Sequence, residues 1–106
     1  MTLTSLLASA ALSLFALQSN IDTLVANALE ISSPAGTYTT YFEADGTYTT
    51  NVGISGTWEA QDGELCVSRA TGEHNCQPLM DHLHVGDSWE GQNAAGDTVT
   101  VTVVAR

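Results

Sequence analysis

Gly36-Thr37-Tyr38-Thr39-Thr40-Tyr41-Phe42-Glu43-Ala44-Asp45-Gly46-Thr47-Tyr48-Thr49-Thr50 carries one five-residue phrase twice, ten positions apart. Thr and Tyr favour a pleated, half-buried surface, and Asp-Gly favours a turn, so the repeat predicts two arms of a β-hairpin. The turn follows from packing. A two-residue Asp45-Gly46 loop would pair Phe42 with Thr49 and mix apolar with polar side chains on each face. A three-residue loop, Ala44-Asp45-Gly46, pairs Phe42 with Tyr48 and Tyr38 with Val52, and leaves Gly46 in the left-handed position this loop needs. The second is expected.

The same pattern runs outward from this hairpin. Gly-centred turns recur every 8 to 12 residues or so, the spacing of short strands. At the end of the chain, Val99, Val101 and Val103 share one face. A loop Ala94-Ala95-Gly96 sets Trp89 opposite Val101 and Gly91 opposite Val99, where the missing side chain opens room for a neighbouring strand or ring. In the middle, a two-residue Asp62-Gly63 turn pairs Trp58 with Val67 and Ala60 with Leu65. A three-residue loop there would set Trp58 against Cys66 instead. The former is preferred because it buries more apolar area.

Alternation of this kind gives each strand a wet face and a buried face, and one small sheet cannot bury its apolar face without curling. The predicted fold is all-β: a small antiparallel up-and-down meander closing into a barrel or half-barrel. The predicted core is Tyr38, Phe42, Tyr48, Val52, Ile54, Trp58, Leu65, Val67, Leu83, Val85, Trp89, Val99, Val101 and Val103.

The N-terminus reads differently. Leu6 to Leu17 is an apolar run broken only by Ser9 and Ser13, long enough for a signal-peptide core and short for a membrane span. Val25-Ala26-Asn27-Ala28 has the small-x-small form of a cleavage site, so residues 1–28 are read as a signal peptide and 29–106 as the mature domain. No Lys or Arg precedes the run, as a start codon assigned too far downstream would explain. The alternative is an uncleaved helix packed on the domain. No Cys follows the run, which argues against a lipid anchor. The expected location is periplasmic or secreted, with no membrane span in the mature form.

The chain has 106 residues, 12 acids and 2 basic residues, for a charge of -10. That excess argues against nucleic acid or an anionic membrane as partner, because both recruit positive charge. It keeps a small domain soluble and, on this reading, monomeric. Cys66 and Cys76 are the only cysteines. In an exported protein they read as a disulfide, and a hairpin centred on Thr71 places them directly opposite each other. So short a closed loop stabilises by roughly 2–3 kcal/mol in the chain-entropy model. A redox-active pair is disfavoured, since the spacing is not C-x-x-C.

Phe42-Glu43-Ala44-Asp45-Gly46-Thr47-Tyr48, Ser55-Gly56-Thr57-Trp58-Glu59 and Asp62-Gly63-Glu64-Leu65-Cys66-Val67 resemble the core of lipocalin-like small β domains. With Val85-Gly86-Asp87-Ser88-Trp89 and Val99 to Arg106, residues 36–106 are similar to small exported bacterial proteins of that kind. The resemblance implies the fold and carries over no catalytic or binding residue. Periplasmic inhibitors of metalloproteases are similar in size, with one disulfide in a small barrel. By that likeness the segment Leu29-Glu30-Ile31-Ser32-Ser33-Pro34 would enter a protease cleft.

Candidate chemistry is sparse. His82 and His84 flank Leu83, and in an extended segment both imidazoles point the same way, with Asp81, Asp87 or His74 as further metal ligands. The plainer reading is a polar loop with Leu83 turned inward. The acids Glu43, Asp45, Asp62, Glu64 and Asp97 lie beside turns, where Asp serves as a turn former. Tyr38, Tyr48, Trp58 and Trp89 read as core or as the lining of a ligand pocket. No nucleophile motif, phosphate loop or cofactor fingerprint is present. The expectation is a non-enzymatic exported domain without a cofactor, binding a protein or a small molecule or stabilising the envelope. The alternatives are a protease inhibitor and a metal-binding protein.

Overall fold

The computed structural model describes residues 20–61, 63–93 and 95–106. The apolar run Leu6 to Leu17, Asp62 and Ala94 lie outside the described residues. Eight strands follow a helical segment at 20–26: β1 (Asn27–Ser33), β2 (Gly36–Phe42), β3 (Thr47–Thr50), β4 (Ser55–Gln61), β5 (Glu64–Arg69), β6 (His74–Pro78), β7 (Ser88–Gln92) and β8 (Thr98–Ala105). They form one antiparallel sheet in the order β6-β5-β4-β3-β2-β1-β8-β7. The meander therefore curls until its first strand meets its last, and the barrel is nearly closed. Among the described residues no ladder joins β6 to β7, and this pair is the seam.

The registers follow the packing argument. Phe42 faces Tyr48, and Glu43 and Gly46 close a three-residue turn with Gly46 at φ 90°. Trp58 faces Val67 and Ala60 faces Leu65. Trp89 faces Val101 and Gly91 faces Val99. Phe42 anchors an aromatic cluster, with its ring edge-on to Trp58 at 5.3 Å and tilted against Tyr48 at 6.2 Å.

Phe42, Tyr48, Leu65, Leu83, Val99, Val101 and Val103 are buried as expected, with Tyr38, Ile54, Trp58, Val67 and Trp89 half-buried against them. Two expected core residues are not in the core. β3 ends at Thr50, because the Thr50 hydroxyl accepts from the backbone of Val52 and Ile54 and bends the chain there. The pairing of Tyr38 with Val52 does not form, and Val52 is 57 % exposed. Val85 is 55 % exposed in the turn before β7.

The core instead gains Leu24, Ala28, Leu29, Ile31 and Leu79. The boundary drawn after Ala28 falls inside β1, where Asn27 and Ala28 pair with Ala105 and Val104. Upstream, the helical segment lies against the loop between β6 and β7. Asn20 Nδ2 donates to the carbonyl of Met80, the Leu83 N–H donates to Asn20 Oδ1, and the Thr23 hydroxyl donates to the carbonyl of Leu83. These bonds tie the helical segment to the β6–β7 loop.

Candidate functional site: the barrel interior

Up-and-down order fixes which turns share an end of the barrel. The turns after β2 and β4 and the loop after β6 lie at one end, together with the helical segment and the C-terminus. That end is closed. Leu24, Leu79 and Leu83 fill it, and Arg106 binds the carbonyls of Val25 and Phe42 and pairs with Glu43. The Trp58 indole donates to the carbonyl of Glu43 at 2.9 Å. The turns after β1, β3, β5 and β7 lie at the other end, which has no such plug among the described residues.

A cavity of about 70 Å³ occupies the interior below these four turns. That is room for about two water molecules, so a larger guest would extend into the open mouth. Leu29, Phe42, Leu65, Val99 and Val101 give it an apolar floor, and Tyr38, Tyr48 and Trp89 an aromatic wall. Polar groups come from β5, the β5–β6 turn, β6 and the β7–β8 turn: Arg69, Glu73, Asn75, Gln77 and Asn93. Arg69 is one of two basic residues in the chain.

The electrostatics divide the site. Burial raises the pKa of the Tyr48 hydroxyl above its ordinary 10.0, while the nearby Arg69 guanidinium acts in the opposite direction. The Glu73 carboxyl is held below the usual range, chiefly by the hydrogen bond from the Thr71 hydroxyl. At neutral pH the mouth therefore carries a cation and a carboxylate above a neutral tyrosine. Deeper in, Gln77 Oε1 and Trp89 Nε1 are buried without a hydrogen-bond partner among the described residues. A buried donor or acceptor left unpaired costs about 1–3 kcal/mol.

Three of the four aromatic candidates, Tyr38, Tyr48 and Trp89, line this cavity. Trp58 faces the closed end instead, tied to Glu43. Both indoles are half-buried rather than fully enclosed. The amides of Asn75 and Gln77 were not expected, although a signal existed. If Cys76 faces outward to meet Cys66, alternation along β6 turns its neighbours Asn75 and Gln77 inward.

The disulfide Cys66–Cys76 is present, with the two residues directly opposite at a Cα separation of 4.0 Å. His82 and His84 behave otherwise than in an extended strand. His82 takes a positive φ of 55°, so the alternation that would aim both rings one way is broken. The His84 backbone N–H donates to Asp87 Oδ2 at 2.8 Å, and its imidazole stands 3.9 Å from the same carboxylate. The trio of ligand types that comes together among the described residues is Cys66, His74 and Cys76.

The segment Leu29 to Ser33 is not a free arm. It is β1, bonded to β2 on one side and β8 on the other, with Leu29 and Ile31 buried. A strand held on both edges cannot extend into a protease cleft without opening the barrel. No protein-family model, curated protein or solved structure matches this chain.

Proposed function

We propose that this chain is an exported, non-enzymatic binding protein that takes a small, largely apolar molecule into the open end of its barrel. The observation that carries this reading is the cavity's apolar floor and aromatic wall, with two lining residues, Gln77 and Trp89, whose buried Oε1 and Nε1 have no hydrogen-bond partner among the described residues. One is an acceptor and the other a donor, so the matching ligand offers both a donor and an acceptor on one head group. A carboxamide or a hydroxyl does so. The apolar floor selects a compact hydrocarbon body, in keeping with sites that are mostly apolar with a few placed polar groups. Export is supported by the apolar N-terminal run and by the disulfide, a bond of oxidising compartments.

Calorimetric titration with benzamide, benzoate and hexanamide tests this. Saturable one-to-one binding of the carboxamides is expected, weakened about two- to tenfold by Trp89→Phe, which removes one hydrogen-bond donor and keeps the apolar ring. No saturable heat with any of the three, up to the limit of solubility, contradicts the reading.

A further inference from the structure

The outer face of the barrel carries a second site. Alternation along β4, β5 and β6 sets two adjacent rows there: Glu59, Cys66 and Cys76 in one, and Thr57, Ser68 and His74 in the next. The His74 imidazole is oriented by its neighbour. Its Nδ1 is hydrogen-bonded to the Ser68 hydroxyl at 2.8 Å, and its Nε2 lies 3.5 Å from Cys76 Sγ. One candidate ligand atom from each of Cys66, His74 and Cys76 lies within 4.8 Å of the others. Glu59 lines the same surface cleft as Cys66 and His74.

We propose that reduction of the Cys66–Cys76 disulfide converts this face into a site for a thiophilic divalent metal ion such as zinc. Cys66 Sγ, Cys76 Sγ and His74 Nε2 are its ligands, and Glu59 takes the fourth position. Two thiolates and an imidazole are a donor set that suits zinc. With Zn–S near 2.3 Å and Zn–N near 2.0 Å, tetrahedral ligands stand about 3.5 Å apart, as His74 Nε2 and Cys76 Sγ already do. The movement required is separation of the two sulfurs, which breaking their bond allows. The Ser68 hydroxyl plays the orienting part usual for the far nitrogen of a metal-bound histidine.

The chemistry balances. A dithiol reductant gives two electrons and two protons to the disulfide, leaving two thiols, and its own sulfurs close to a disulfide. The metal ion then displaces the two thiol protons to solvent. The site therefore exists in one redox state only and is independent of the interior cavity, whose lining from the same strands faces the other way.

The test uses Co²⁺ as a spectroscopic stand-in for zinc, added to protein reduced with a phosphine, which competes weakly for the metal. Sulfur-to-cobalt charge-transfer bands saturating at one equivalent are expected in the reduced protein and none in the oxidised protein. His74→Ala should weaken binding at least tenfold and Ser68→Ala by a smaller factor, while a variant carrying both His82→Ala and His84→Ala binds as the parent. Zinc should also raise the melting temperature of the reduced protein and not of reduced His74→Ala, a readout that holds even if reduction loosens the fold. Absence of the bands, or unchanged affinity in His74→Ala, overturns the proposal.

Discussion

The carboxamide of Gln77 occupies the space that a side chain at position 91 would fill: a Cβ added to Gly91 would collide with Gln77 Oε1. The contact spans the seam, where Asn75 Nδ2 also donates to the carbonyl of Gln92 at 3.0 Å. Side chains thus do between β6 and β7 what backbone ladders do elsewhere. Gly91→Val should displace Gln77 and destabilise the protein by about 1–3 kcal/mol, the range for overpacking. Gln77→Ala should relieve part of that cost. Urea denaturation of the two single variants and the double variant would show it as non-additivity. Strict additivity would mean that the contact is not made.

The helical segment at 20–26 is predicted to be part of the folding unit. Leu24 is fully buried, so Leu24→Ala should cost about 2–5 kcal/mol. Asn20→Ala removes two hydrogen bonds to the β6–β7 loop and should cost about 1–3 kcal/mol. A chain starting at Leu29 should be less stable than one starting at Asn20, as thermal unfolding of the two would reveal. Equal melting temperatures would move the boundary back to Ala28.

The disulfide closes the β5–β6 hairpin at one edge of the sheet. Replacing both cysteines, Cys66→Ser with Cys76→Ser, should lower stability by roughly 2–3 kcal/mol. Intact mass of the purified protein should be two protons below that of the reduced chain. Two free thiols in freshly purified exported protein would contradict the pairing.

Acid should weaken the β2–β3 turn. The hydroxyl and the backbone N–H of Thr47 both donate to Asp45 Oδ1 and hold its carboxyl below the ordinary 3.8. A carboxyl depressed in the folded state adds stability above its unfolded pKa and loses it as pH falls through the folded value. The loss therefore begins below about pH 4. Carboxyl titration by NMR should place the Asp45 midpoint under 3.8, and Thr47→Val should raise it.

The strand registers were legible because turn length and apolar pairing constrain each other. Phe42 can face Tyr48 only across a three-residue loop, and Val67 can face Trp58 only across a two-residue one. The N-terminal contribution was not legible. Leu24 and Ala28 sit in a stretch whose local composition reads as a leader, and only distant contacts draw them into the core: Ala28 by pairing with β8, some 75 residues away in sequence, and Leu24 with a helical segment bonded to the β6–β7 loop. Val52 and Val85 mislead for the opposite reason, being apolar side chains in bends set by Thr50 and by the turn before β7. At the site, the aromatics announced themselves. Gln77 and Asn75 were concealed in a polar run whose inward direction follows only once the outward disulfide is accepted.

The two indoles give the most direct test of the central claim that the barrel interior binds a ligand. Trp58 Nε1 is satisfied by the carbonyl of Glu43, and Nε1 of Trp89, a residue that lines the cavity, has no hydrogen-bond partner among the described residues. In a titration of ¹⁵N-labelled protein with benzamide, the Trp89 indole N–H resonance should shift downfield and saturate, while that of Trp58 stays in place. A Trp89 resonance that does not move, or two indole resonances drifting together without saturation, would contradict the account.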